Sequence, residues 1–214
     1  MTGPDGAARF AALVPQLFHA ADQGALPLIR EHGLLSARAL ACLFQVPAAE
    51  RPALLTRNRD RFAPLGGGAA HLRVQHMRDD ALRSRLDPAI GLGQWRRFIN
   101  RHAFLWSSRD QAARLARFER GRTQIVLAWD TAAVLRAGVR LLACRYNNGS
   151  TQDRLPPERR RLRSFADYLP PERVRSRAEA KEVLALHLIP ASIPFAVAEA
   201  DPGPHLAKPR AAPS

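Results

Sequence analysis

The stretch QIVLAWDTAAVLRAG, residues 124–138, restricts the fold more than any other part of the chain. Its apolar run opens on the β-branched Ile125 and Val126, continues to Trp129, and is too short for an amphipathic helix. It reads as a strand. A helix follows without a linker, with Asp130 or Thr131 placed to cap its first turn and Gly138 to stop it. A chain holding this unit has to build a sheet and pack helices against it.

The same alternation recurs elsewhere. PQLFHA reads as a short strand, and ALPLIREHG as a helix closed by Gly33. SARALACLF is a helix with Ser36 as its N-cap, and AAERPALLTRNR is a further helix. Gly66–Gly68 marks a loop before the strand AHLRVQ. RDDALRSRL and GQWRRFINR are amphipathic, the second with Trp95, Phe98 and Ile99 as its apolar stripe. AFLWS is a strand, SRDQAARLARFE a helix, VRLLACRYN a strand ending in the turn NNGS, and EVLALHLI and IPFAVAE are late strands. Residues 152–180 are rich in arginine and proline and read as a long surface loop with a short helix. Strict βαβ alternation is absent. The expectation is therefore an α+β fold with a split, mostly antiparallel sheet and flanking helices, in one domain over residues 13–200. Residues 1–12 read as a flexible lead-in and 201–214, with four prolines, as a disordered tail.

Charge narrows the partners. The chain of 214 residues carries a formal net charge of +14, which favours anionic ligands such as nucleic acid or phosphates. Almost all of it is arginine, Lys181 and Lys208 being the only lysines, a bias that a GC-rich genome also produces. The excess concentrates in residues 83–122, where ten arginines face only Asp87, Asp110 and Glu119. Arg96, Arg97 and Arg101 are the candidates for a nucleic-acid surface there. A merely solvated basic face is the competing reading. Cys42 and Cys144 lie far apart, without the spacing of a zinc site or a disulfide framework, so no metal is expected. No secretory signal or membrane-length apolar run is seen, so a cytoplasmic protein without a membrane partner is expected.

Four blocks in order, LFHAAD…LPLIREHGLLS, GQWRRFINRHAFLWSS, QIVLAWDTAAVL and YNNGST, resemble an uncharacterised bacterial family over roughly residues 15–195. Its members share a Leu-Tyr-His start, a Trp-x-x-x-x-Asn helix leading into an aromatic strand, and an Asn-x-Gly turn. The opening also looks like that of DarT-type and poly(ADP-ribose) polymerase-like ADP-ribosyltransferases. That resemblance implies NAD as the substrate cofactor, with a first-strand histidine, an aromatic on a second strand and a glutamate leading a late strand. Cleavage of the nicotinamide–ribose bond passes through an oxocarbenium-like state, which a carboxylate near the ribose can stabilise. His19 occupies the first role. The usual tyrosine of the second is missing, and Phe104 and Trp106 share one strand face there, with Ser107 and Leu105 on the other. Glu182 leads EVLALHLI and is the candidate catalytic carboxylate, with Glu199 as competitor; an alternative alignment puts Leu186 at that position and leaves no carboxylate. Ser107 and Asn148, within the Asn147-Asn148-Gly149 turn, complete the expected cofactor-binding set; the turn is also an ordinary tight-turn signal. Arg73, His76 and Asn100 sit near these blocks without an assigned role. Three functions stay open: an NAD-dependent transferase acting on an unidentified acceptor such as nucleic acid, a non-catalytic nucleotide- or nucleic-acid-binding module, and an interaction protein without a ligand.

Overall fold

Apolar side chains at helical spacing, Phe10, Leu13 and Val14, begin the chain's first buried face. The computed structural model describes residues 4–75, 77–118, 122–146 and 162–199. In it the expected flexible lead-in is a helix, α1 (Pro4–Leu13), with Phe10 and Val14 fully buried. Gly6 approaches Glu172 so closely that a Cβ would sit 2.6 Å from that residue's own Cβ, and Arg9 donates to the Glu172 carbonyl.

The chain continues through β1 (Gln16–Asp22), α2 (Leu26–His32), β2 (Leu34–Leu35), α3 (Ala37–Leu43) and α4 (Arg51–Thr56). A hairpin follows, β3 (Ala63–Leu65) and β4 (Ala70–Leu72), then α5 (Asp79–Arg83) and α6 (Leu92–Asn100). Next come β5 (His102–Trp106), α7 (Arg109–Phe118), β6 (Gln124–Asp130), α8 (Thr131–Arg136) and β7 (Leu141–Cys144). The described part of the proline-rich region forms three short 3-10 turns, before β8 (Glu182–Leu186), β9 (Leu188–Ile189) and β10 (Phe195–Glu199). The caps sit where the sequence places them: Ser36 Oγ accepts from the Ala39 amide and Asp130 from the Ala133 amide. The tail from residue 201 and the Asn147–Gly149 turn lie outside the described residues.

Six strands form one antiparallel sheet in the order β10-β6-β1-β5-β8-β7, flanked by helices. This is the α+β architecture the sequence implies. The sheet is unevenly joined. β1 pairs with β6 along all seven of its residues, from Gln16↔Asp130 to Asp22↔Gln124, yet meets β5 at Phe18↔Trp106 alone. Period-2 alternation divides the apolar side chains between two faces. Leu17, Leu105, Leu127, Trp129 and Val183 pack with Phe10 of α1 and Val134 of α8 on one face. On the other, Ala20, Trp106 and Val126 pack against Ala112 and Ala116 of α7, while Leu184 packs with Trp95 of α6.

EVLALHLI is not one strand. His187 takes a positive φ of 69°, and the chain there leaves the main sheet to pair β9 with β2. Its carbonyl accepts from the Ser36 amide at 2.7 Å and its amide donates to the Arg101 carbonyl at 2.9 Å. Gly33, at the end of α2, has φ 82°, and a Cβ on it would fall 2.1 Å from the Ile189 carbonyl oxygen. Only glycine fits both the backbone and the space. Gly33→Ala should therefore destabilise the protein by about 2 kcal/mol or more, read as a lowered midpoint in urea unfolding.

Candidate functional site

Continuing the single β1–β5 pair would set Ala20 opposite Phe104. Side chains bind their carbonyls instead: His19 Nδ1 lies 2.7 Å from the Phe104 oxygen, and Arg73 Nη1 donates to the Ala20 oxygen at 2.9 Å. A cleft of about 500 Å³ occupies this parting of the sheet. His19, Phe104, Trp106 and Glu182 all line it, so the parting gathers four residues singled out in the sequence.

A carbonyl oxygen only accepts, so Nδ1 of His19 carries the proton and donates. Burial first, and then the nearby Arg73 charge, lower the imidazole pKa to about 4, against a partial rise from the Phe104 bond. At neutral pH the ring is neutral and Nε2 retains its lone pair. The Trp106 ring lies 6.4 Å from it, centroid to centroid.

Strand register places Phe18, Trp106, Glu182 and Cys144 in one row across the sheet. Glu182 is the row's carboxylate and is only 2% exposed. Burial, and then the Glu182 charge beside it, push the Cys144 thiol to about 12, although the Tyr146 amide bonds the sulfur; Cys144 is a packed thiol and no nucleophile. Trp106 Nε1 is a buried donor without a partner among the described residues.

The remaining wall was not singled out as a site in the sequence. Arg73 Nη2 donates to Gln124 Oε1 at 2.6 Å. Arg59 donates to the carbonyls of Arg73 and Leu54 and to Asn100 Oδ1. Asn100, buried at the end of α6, returns a bond from Nδ2 to the Leu55 carbonyl at 2.7 Å, tying α4, α6 and the hairpin strand together. Trp95-x-x-x-x-Asn100 was the available signal for this hub. Arg122 pairs with Asp22 and lies 4.7 Å above the Phe62 ring. Burial alone would raise the Asp22 carboxyl, but the Arg122 bond, the Gly24 amide and the neighbouring guanidinium charges outweigh it and hold the pKa below the usual range.

Other expected site residues fall elsewhere. Ser107 is buried past the end of β5, off the cleft, its carbonyl bound by Arg177 and its amide by the Lys181 carbonyl. Arg96 is 3% exposed and ion-paired with Asp79, so it lines the cleft rather than an outer basic face. Arg97 and Arg101 are exposed as expected. Glu199 ends the edge strand β10 opposite Ile125, with β6, β1 and β5 between it and β8. Leu186 stands at the opposite end of β8 from the cleft's carboxylate, across from His102. Asn148 and His76 lie outside the described residues. Among the described residues no three His, Cys, Asp or Glu gather as a metal site would require, and no helix is long and apolar enough to cross a membrane.

Because the folded pKa of His19 lies below the ordinary value of 6.5, its contribution to stability is present above pH 6.5 and lost as pH falls toward 4. Wild type should lose up to about 3 kcal/mol more than His19→Gln across that window, measured by urea unfolding at stepped pH. Equal pH profiles for the two proteins would show that His19 is not held neutral.

No curated protein and no solved structure matches the chain. One family model does, over residues 15–192, described as a family of unknown function. It spans every strand of the sheet except β10, together with every described residue of the cleft's lining, and the chain belongs to that family, DUF7002.

Proposed function

We propose that the cleft binds NAD and that the protein is an ADP-ribosyltransferase. The observation carrying this reading is that His19, Trp106 and Glu182, drawn from three strands, line one cleft where the sheet parts. The lone pair on His19 Nε2 accepts a ribose hydroxyl, since Nδ1 is already committed to Phe104. Trp106, or Phe104 beside it, offers a ring to nicotinamide. Glu182 stabilises the positive charge that develops on the ribose as the bond to nicotinamide breaks. Nicotinamide leaves with the bonding pair, and an acceptor hydroxyl or amine adds to the ribose carbon and gives up its proton. The split antiparallel sheet is the architecture expected of the ADP-ribosyltransferase-like fold, which is an analogy of fold.

A second observation favours a nucleic acid as the acceptor or, in a non-catalytic protein, as the ligand. Helix α6 turns Trp95, Arg96 and Asn100 to the cleft, and Arg97, Phe98 and the following Arg101 to a groove on its other side. Arg38, Arg51 and the exposed Phe165 also line that groove, and among the described residues no carboxylate does. Guanidiniums around an exposed ring suit a single strand, which they hold through phosphates and stacked bases.

Two experiments test these readings. Incubation with NAD labelled in its nicotinamide should release nicotinamide, and Glu182→Gln should slow release by about 10²–10³-fold while sparing binding. His19→Ala should instead weaken NAD binding. Wild type that neither binds nor cleaves NAD removes the transferase reading. For the groove, Arg97→Gln with Arg101→Gln should lower the slope of log affinity against log salt for a single-stranded oligonucleotide by about 1.5. An unchanged slope removes these arginines from the interface.

A further inference from the structure

Four guanidiniums, those of Arg59, Arg73, Arg96 and Arg122, line the cleft from the hairpin side. Three carboxylates answer them: Asp79 pairs with Arg96, Asp22 pairs with Arg122, and Glu182 lies among the lining residues. Among the described residues the local balance is positive within a half-enclosed space. Arg59 marks the excess. All its hydrogen bonds among the described residues go to neutral acceptors, the carbonyls of Arg73 and Leu54 and the amide oxygen of Asn100. Burial and then the Arg96 charge lower its pKa to about 10, the mark of a cation held near another without enough counter-charge. Protein folding alone gives no reason to gather these charges, because each is desolvated and they repel one another.

We propose that this wall is a diphosphate-binding subsite, in which Arg59 and Arg122 hold the phosphate oxygens of a nucleoside diphosphate moiety. Each guanidinium retains N–H groups beyond those already bonded, since Arg59 uses one on each nitrogen and Arg122 one on Nη1. The planar fork of guanidinium matches phosphate oxygens in pairs. Arg122 is held over Phe62 by a cation–π contact, which fixes its plane without using a donor. Arg73 binds Ala20 and Gln124 and positions the wall against β1 and β6. The subsite rests on the reading of the cleft as a nucleotide site and specifies which part of the ligand it grips. A diphosphate on this wall leaves the His19, Trp106 and Glu182 end for the sugar and its leaving group.

The test uses the full chain and inorganic pyrophosphate, titrated calorimetrically at low ionic strength. Pyrophosphate should bind saturably, and Arg122→Gln and Arg59→Gln should each weaken it by about tenfold or more, the loss of one charge-assisted contact. Thermal unfolding establishes that each variant is folded. The double variant Arg97→Gln, Arg101→Gln serves as the control for the outer groove and should bind as wild type does. A comparison on the wild-type protein needs no variant: ADP should bind about tenfold or more tightly than adenosine, and pyrophosphate should displace it. Absence of saturable pyrophosphate binding overturns the subsite, as does binding lost in the Arg97, Arg101 variant and kept in Arg122→Gln. NAD cleavage without pyrophosphate binding overturns the subsite alone. Pyrophosphate binding with the stated variant pattern, in a protein that neither binds nor cleaves NAD, supports the subsite and overturns the transferase reading.

Discussion

A sheet that parts leaves backbone carbonyls without a ladder partner, and a buried carbonyl has to find a donor. Here β1 and β5 separate after Phe18↔Trp106, and His19 and Arg73 supply the donors, to Phe104 and Ala20. The rest of the site depends on that exchange. It holds the imidazole in one tautomer, brings Arg73 against the first strand, and leaves space where strands would otherwise close. The same two side chains that satisfy the backbone thus define the chemistry of the cleft.

Local signals made most elements legible. The run from Ile125 to Trp129, the caps at Ser36 and Asp130 and the stop at Gly33 act within a few residues, so their meaning survives without tertiary information. Glu182, His19 and Trp106 were visible as candidates because the resemblance to ADP-ribosyltransferases assigns roles to a first-strand histidine, a second-strand aromatic and a glutamate leading a late strand. The arginine wall was not. Arg59 and Arg122 follow no spacing, and their roles come from Asn100, Asp22 and Phe62, which are distant in sequence. Arg96 could not be told from Arg97 by composition; only the turn of α6 separates a buried ion pair from an exposed cation. The lead-in differs from its expected flexibility because the helical spacing of Phe10, Leu13 and Val14 lets α1 bury an apolar face against the sheet.

Helix α6 shows why net charge alone described the chain poorly. Its cationic residues divide between an enclosed wall and an open groove, where the same group behaves differently. In the cleft, low polarisability strengthens each charge and makes pairing with Asp79 necessary. In the groove, Arg97 and Arg101 are exposed and solvent screens their charge. Arginine abundance is therefore two properties within one helix.

The kink at His187 has a bearing on how faithfully β8 is seated. Side chains alternate along a strand, so a slip of one residue exchanges its two faces. Such a slip would turn Val183 toward the cleft and sink the Glu182 carboxylate among Leu105, Leu127 and the other apolar side chains of the opposite face. The chain fastens β8 at its far end, where the carbonyl and amide of His187 are gripped by Ser36 and Arg101. A backbone clamp at the far end of the strand from Glu182 thus acts as a proofreading stop against alignments that would misplace the carboxylate.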